Sequence, residues 1–208
     1  MPNREAIKNK THLVAWFVSN CRTINRREEL YRNLRRYVDI DVYGSCGKLK
    51  CPKEFHESSP RCYDLIERQY KFYLSFENSH CKDYVSEKLY RVLEKNIVPV
   101  VYGNNDYGKI APPKSVIIAD NYDSAEELAD YLVFLDKNPV EYLKYFEWKK
   151  SYYVERNFNY TICKLCRMLN NASEPPKVYE DILTWWLGTN HSYCKLGDAL
   201  PDISIPIQ

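Results

Sequence analysis

Apolar residues fall along this chain in short continuous runs separated by stretches of helical period. Residues 12–18, HLVAWFV, read as a buried strand that ends at Ser19 and Asn20. From residue 25 to 37 the period turns helical, with Leu30 and Leu34 on one face, and Asn25 followed by Glu28 resembles a capping box. Residues 38–43 alternate like a strand and stop at Gly44, after which a loop containing Cys, Pro and Gly runs to about residue 61. YKFYLSF at 70–76 is a third strand. Residues 84–95 form a second helix with Val85, Leu89, Val92 and Leu93 inward, and Asp83 stands where it would cap that helix. Fourth and fifth strands follow at 97–102 and 115–119. The remainder reads as helical over 124–136, 139–150, a Tyr-rich stretch at 151–169 and 175–187, and residues 197–208 as an unanchored tail.

Strands alternating with helices predict an α/β fold, a mostly parallel sheet covered on both faces by right-handed crossovers. Such sheets bind ligands beyond the carboxyl ends of their strands. Two strand-to-helix junctions qualify here, residues 19–27 and 77–88. Neither carries a Walker loop or a GxGxxG turn, which removes the usual support for ATPase and NAD readings and leaves cationic side chains and helix ends to hold phosphate.

Composition narrows the function classes. Thirty Lys and Arg against 28 Asp and Glu give a net charge of +2, without the concentrated basic face of a nucleic-acid binder. The 19 tyrosines suit half-buried sheet positions. The eight cysteines are Cys21, Cys46, Cys51, Cys62, Cys81, Cys163, Cys166 and Cys194. Cys46, Cys51, Cys62 and Cys81 could pair among themselves in three ways, and spacing does not choose. Cys163 and Cys166 form a CxxC with no second CxxC and no nearby pair of His, which disfavours zinc. Sequons at Asn159, Asn171 and Asn190 join the cysteines in favouring an oxidising lumen. No apolar run reaches membrane-spanning length and no signal peptide follows Met1, so a fragment or a truncated gene product is expected.

The junction at 76–88 is the most informative segment. A strand delivers Asn78 to a loop, and Glu87 and Lys88 fall in the opening turns of the next helix. A lysine there neutralises a diphosphate, and the adjacent carboxylate accepts hydrogen bonds from sugar hydroxyls. An ordinary ion pair of Glu87 with Arg91 and a solvated Lys88 is the competing reading. Asp39-Ile40-Asp41 formally reads as a metal-binding DxD, but strand alternation explains it, with Val38, Ile40 and Val42 inward and both Asp outward.

YKFYLSFENS at 70–79, CKDYVSEK at 81–88 and VPVVYG at 98–103 together resemble the signature of the α-1,3-fucosyltransferases. The likeness continues in AWFVSNC at 15–21 followed by Arg27, in VYGSCG at 42–47, in YFEW at 145–148 and in CKLC at 163–166. It covers roughly residues 11–190, and its cysteine-rich details look most like the invertebrate branch. The resemblance implies the C-terminal, Rossmann-like half of a GT-B glycosyltransferase holding GDP-fucose. Residues 1–10 would then be an N-terminal extension and 191–208 a tail. By position, Arg27 and Lys88 would face the diphosphate, with Arg26 the rival of Arg27. Glu87 would contact fucose or ribose hydroxyls. Tyr73, Asn78 and Tyr84 would line the nucleotide pocket, with Ser19 and Asn20 near the phosphates. Ser86 stands where Thr is usual.

The implied activity is inverting transfer of L-fucose to GlcNAc of glycoprotein glycans, the acceptor glycan being carried on glycoprotein or glycolipid, with no metal cofactor and with the general base in an acceptor domain absent from this chain. Glu77 is read as donor-pocket support, and no residue here is assigned as the catalytic base. The alternative is a GDP-fucose-binding module without transferase activity. The resemblance also implies a Golgi-lumenal, single-pass type II membrane protein. In it the CxxC would be a clasp to cysteines of the missing domain.

Overall fold

The computed structural model describes residues 2, 4–51, 53–54, 57–155, 158–173 and 175–195. Its strands are β1 (His12–Phe17), β2 (Ile40–Tyr43), β3 (Lys53–Glu54), β4 (Glu57–Ser58), β5 (Tyr70–Phe76), β6 (His80–Cys81), β7 (Val98–Tyr102), β8 (Ile117–Ile118) and β9 (Cys194–Lys195). Its helices are α1 (Arg4–Lys8), α2 (Arg27–Leu34), α3 (Pro60–Gln69), α4 (Glu87–Leu93), α5 (Tyr107–Ile110), α6 (Ala125–Lys137), α7 (Pro139–Lys144), α8 (Phe158–Leu169) and α9 (Ile182–Leu187).

The main sheet has five strands in the order β2-β1-β5-β7-β8, every pair parallel. The expected parallel sheet flanked by helices is thus present. Its central strands β5 and β7 are buried at every position, which explains why they read as continuous apolar runs. Alternation still operates inside those runs. Val14, Trp16, Phe72, Leu74, Phe76, Val98 and Val100 join Leu30, Leu34, Leu128 and Leu132 in a core on one face. Ala15, Tyr73 and Val92 pack on the opposite face with Tyr63 and Ile66 of α3.

Several expectations are corrected. Helix α3 fills the stretch between the loop expected to about residue 61 and the strand expected from 70, to which the sequence assigned no element. Ser59 caps it, its Oγ accepting from Arg61 N, and Pro60 opens it at a position needing no N–H partner. Helix α2 starts at Arg27 rather than Asn25, because Arg26 sits at φ 57. The capping box is displaced accordingly: Glu28 reaches back to the N–H and Oγ of Thr23, not to Asn25. Helix α4 starts at Glu87 under the cap Ser86, and Asp83 at φ 60 forms the preceding turn instead of a cap. The N-terminal extension is part of the fold, since Ile7 is in the core and the Lys10 ammonium donates to the carbonyls of Glu67, Tyr70 and Asn96 at 2.6, 2.8 and 2.5 Å.

The four cysteines between 46 and 81 do not pair only among themselves. Cys51 bonds Cys62, but Cys46 bonds Cys21 and Cys81 bonds Cys194. The sheet supplies the reason. Phe17 and Tyr43 are in register at the ends of adjacent β1 and β2, so the loops leaving them bring Cys21 to Cys46. Cys81 of β6 is directly opposite Cys194 of β9 in an antiparallel ladder, which anchors the chain as far as Lys195, beyond the boundary expected at 190. Residues 196–208 lie outside the described residues. Cys163 and Cys166 are free and exposed on α8, and Asn159, Asn171 and Asn190 are exposed as well.

Candidate donor-binding cleft

At the carboxyl ends of β1, β2 and β5 a cleft of about 280 Å³ opens between the 18–27 loop, the turn after β2 and the start of α4. Ser19, Asn20, Arg27, Tyr73, Asn78, Glu87 and Lys88 all line it. Residues from four separate stretches of sequence therefore meet at one place, beyond the strand ends where an α/β sheet offers a crevice. Tyr84 does not join them. It lines a neighbouring groove with Ser79, Asp83 and Trp186, because the turn at Asp83 carries it to the other side of the loop.

Arg27 is 2% exposed, and its guanidinium bridges the ends of two strands. Nη1 donates to the carbonyl of Phe76 and Nη2 to that of Asn20, each at 2.9 Å, and Nε donates to Glu28 at 3.3 Å. One N–H on each terminal nitrogen remains for a ligand. The group lies 5.6 Å from the Trp16 ring centroid. Burial lowers its pKa from the ordinary arginine value, partly offset by Glu28 and Glu77. Arg26, the rival by sequence, is half exposed, pairs with Glu29 and does not line the cleft.

Lys88 sits in a buried polar triad that the sequence did not disclose. Glu77 is 1% exposed; its Oε1 accepts from Ser86 N at 2.8 Å and its Oε2 from Ser86 Oγ at 2.7 Å. Lys88 Nζ donates to Ser86 Oγ at 2.8 Å and lies 3.3 Å from Glu77 and 3.4 Å from Glu87. Glu77 and Ser86 therefore aim the ammonium across the cleft and counterbalance its charge while no anion is present. Glu87 pairs with Lys88 and remains half exposed at the cleft mouth.

Asn25 and Tyr63, which the sequence did not assign to the site, support the cleft beside the expected Tyr73. Asn25, fully buried, donates from Nδ2 to the Glu77 carbonyl at 2.7 Å and accepts the Thr23 hydroxyl on Oδ1 at 2.6 Å, while Tyr102 donates to its carbonyl. This knot fixes the 19–27 loop against the end of β5. Tyr63 and Tyr73 pack edge-on to Phe17, with centroids 5.6 and 5.5 Å away, and close the cleft from below. Burial pushes the Tyr63 phenol up to about 12 and raises that of Tyr73 well above its ordinary value, so both hydroxyls stay protonated. Gly44, at φ 100, lets the backbone turn past Val18, whose carbonyl would be 2.4 Å from a Cβ.

Among the described residues no group of three or more His, Cys, Asp or Glu gathers in a way that could hold a metal. Asp41 of the DxD instead accepts from the Tyr70 hydroxyl at 2.7 Å and faces His12 Nδ1 at 3.1 Å.

Residues 7–185 match the family described as Glycosyltransferase family 10 (fucosyltransferase) C-term. The chain is 40% identical to alpha-(1,3)-fucosyltransferase C of Drosophila melanogaster over 90% of its own length and 42% of that protein's. It is likewise 40% identical to glycoprotein 3-alpha-L-fucosyltransferase A of the same organism, covering 86% of the chain and 36% of the relative. It thus spans about two fifths of the length of the curated relatives it matches. A crystal structure described as alpha1,3-fucosyltransferase with GDP-fucose shares the fold, with a TM-score of 0.58 at 21% identity over 85% of this chain and 51% of that one. By sequence, the chain belongs to glycosyltransferase family 10, the fucosyltransferases, and matches the C-terminal part of that family.

Proposed function

We propose that the chain is the donor-binding half of an α-1,3-fucosyltransferase, which transfers L-fucose with inversion from GDP-fucose to GlcNAc of glycoprotein glycans. The observation that carries this reading is the convergence of Arg27 and Lys88, backed by Asn78 and Glu87, in one cleft at the strand ends of a family 10 chain. Diphosphate oxygens accept the remaining N–H groups of Arg27, and Lys88 turns from Glu77 to the same anion. Both cations stabilise the charge that grows on GDP as it leaves. Glu87 accepts hydroxyls of fucose or ribose.

Inverting transfer also needs a base for the acceptor hydroxyl. Glu77 is engaged by Ser86 and Lys88, which supports a base supplied from outside these residues. We assign no metal to the chemistry. The disulfides and exposed sequons support a Golgi-lumenal setting, reached as a single-pass type II membrane protein.

Calorimetric titration of GDP and GDP-fucose tests the reading. The wild-type chain binds both, and the Arg27→Ala, Lys88→Ala double variant loses about 100-fold or more in affinity, since each charge-assisted contact contributes roughly 1.5–3 kcal/mol. EDTA leaves wild-type affinity unchanged. A folded wild-type chain that binds neither nucleotide sinks the proposal.

A further inference from the structure

Two of the three disulfides bound the donor cleft. Cys21 follows Ser19 and Asn20, which line it, and bonds Cys46 in the turn after β2. Cys51 lines the cleft as well and bonds Cys62 in the first turn of α3, next to Tyr63 on the cleft floor. The loop leaving β1, the turn leaving β2 and the start of α3 are thereby one cross-linked rim. Cys81–Cys194 belongs elsewhere, joining β6 to β9 beside the aromatic groove of Tyr84, Trp185 and Trp186.

The two bonds at the rim differ in what they add. Cys62 is 2% exposed, and its N–H donates to the Ser59 carbonyl at the capped end of α3, so the helix holds it in place without its sulfur. Cys21 is exposed, in irregular backbone between the end of β1 and the start of α2. There the disulfide supplies what secondary structure does not.

Its effect on the cleft runs through one peptide group. The carbonyl of Asn20 belongs to the Asn20–Cys21 peptide, and Arg27 Nη2 donates to it at 2.9 Å. The disulfide holds the Cα of Cys21 5.4 Å from that of Cys46. Cys46 is tied to the sheet in turn, its N–H donating to the Val18 carbonyl at 3.3 Å. The turn around it is closed by Gly44 N on the Leu49 carbonyl and Leu49 N on that of Val42. A peptide group is planar, so pinning Cys21 fixes the direction of the Asn20 carbonyl and with it one side of the guanidinium. The Phe76 carbonyl holds the other side. A fork held at both terminal nitrogens keeps its remaining N–H groups in one direction. Opening the bridge frees residues 19–22, and a ligand must then order that segment as well as bind it. The ties of Asn25 to Glu77 and of Arg27 to Phe76 survive, so the sheet keeps its loop.

We propose that Cys21 and Cys46 are positioning residues of the donor cleft, acting through the Asn20 carbonyl on Arg27, so that their disulfide sets diphosphate affinity rather than the fold. The inference rests on the donor reading given above.

Calorimetric titration of GDP tests it on the Cys21→Ser, Cys46→Ser double variant, with Cys81→Ser, Cys194→Ser as the comparison and thermal unfolding as the check on each fold. The rim variant is expected to bind about tenfold more weakly than wild type, or about 1.4 kcal/mol, with the loss in the entropy of binding. The comparison variant unfolds at the lower temperature, because its bond spans 113 residues against 25, yet keeps its affinity within about twofold. A second route starts from the folded wild type. A water-soluble phosphine opens the exposed Cys21–Cys46 bond to two thiols, itself becoming the phosphine oxide with oxygen from water. Chains opened at this bond, identified by peptide mapping, are expected to show the same tenfold loss. A folded rim variant that binds GDP like wild type overturns the proposal, and so does an equal loss of affinity in both double variants. A folded wild-type chain that binds no GDP overturns the donor reading and this inference with it, an outcome set apart because no substitution is needed to see it.

Discussion

Glu77 shows how one buried carboxylate organises the cleft. It is a neighbour of Asn78 in sequence, yet its side chain points under the loop to Ser86 and Lys88. Glu77→Ala leaves an ammonium and a buried backbone N–H without their partner, and we expect a loss of about 3–5 kcal/mol in stability by chemical denaturation. Glu77→Gln keeps the shape and costs less, which separates lost charge from lost hydrogen bonding. Gly44 sets a different limit. Gly44→Ala combines a backbone at positive φ with a Cβ driven against the Val18 carbonyl, and it is expected to destabilise by roughly 2 kcal/mol or more. The same variant should weaken GDP binding, because Val18 and Gly44 both line the cleft.

The elements that support the cleft owe much of their anchoring to polar side chains placed from a distance. Lys10, just past α1, collects carbonyls at the end of α3, at the first residue of β5 and after α4. Burial lowers its pKa to about 7 against 10.5 for an exposed lysine, with Glu67 partly restoring it. Between these values the unfolded chain holds a proton that the folded chain tends to release. Stability from this group is therefore complete above 10.5 and is lost as pH falls through 7. Thermal unfolding should accordingly show a Tm that rises from pH 6 to pH 9, a rise reduced but not abolished in Lys10→Met, because burial also lowers Lys149, to about 8; that variant is also less stable throughout because three carbonyls lose their donor. For α3, Ser59→Ala should cost about 1 kcal/mol through loss of its cap.

At the scale of the whole molecule, two devices close the chain on itself, the parallel sheet and the disulfides. Cys81–Cys194 encloses 113 residues of sequence, so its removal by paired Ser substitutions is expected to cost about 4–5 kcal/mol on the chain-entropy account. It should also loosen the aromatic groove before the donor cleft. A thiol titration of the native protein is expected to find two reactive groups, Cys163 and Cys166, and six only after reduction and unfolding. Those two thiols lie on a helix that also exposes Ile162, Leu165, Met168 and Leu169.

The sequence by itself determined the elements of the main sheet and the family. Continuous apolar runs at β1, β5 and β7 are what a sheet buried on both faces requires, and the ordered motif from residue 70 to 103 has a specificity that does not depend on folding. Seven of the eight donor residues inferred from the resemblance line one cleft, because they lie on β5, in the loops leaving β1 and β5, or in the first turns of α2 and α4. Tertiary structure decided the rest. Helix α3 went unassigned between the loop expected to about residue 61 and the strand at 70, although Tyr63 and Ile66 carry its buried face. Disulfide pairing followed from which strands are neighbours, β1 with β2 and β6 with β9, and neighbours in space are not set by spacing in sequence. Tyr84 left the cleft because a turn at positive φ reversed its direction, a backbone choice that no side-chain pattern announces. Asn25, read as a helix cap, became a tie between loop and strand, since the Glu77 carbonyl it binds is 52 residues away and comes near only when the sheet forms.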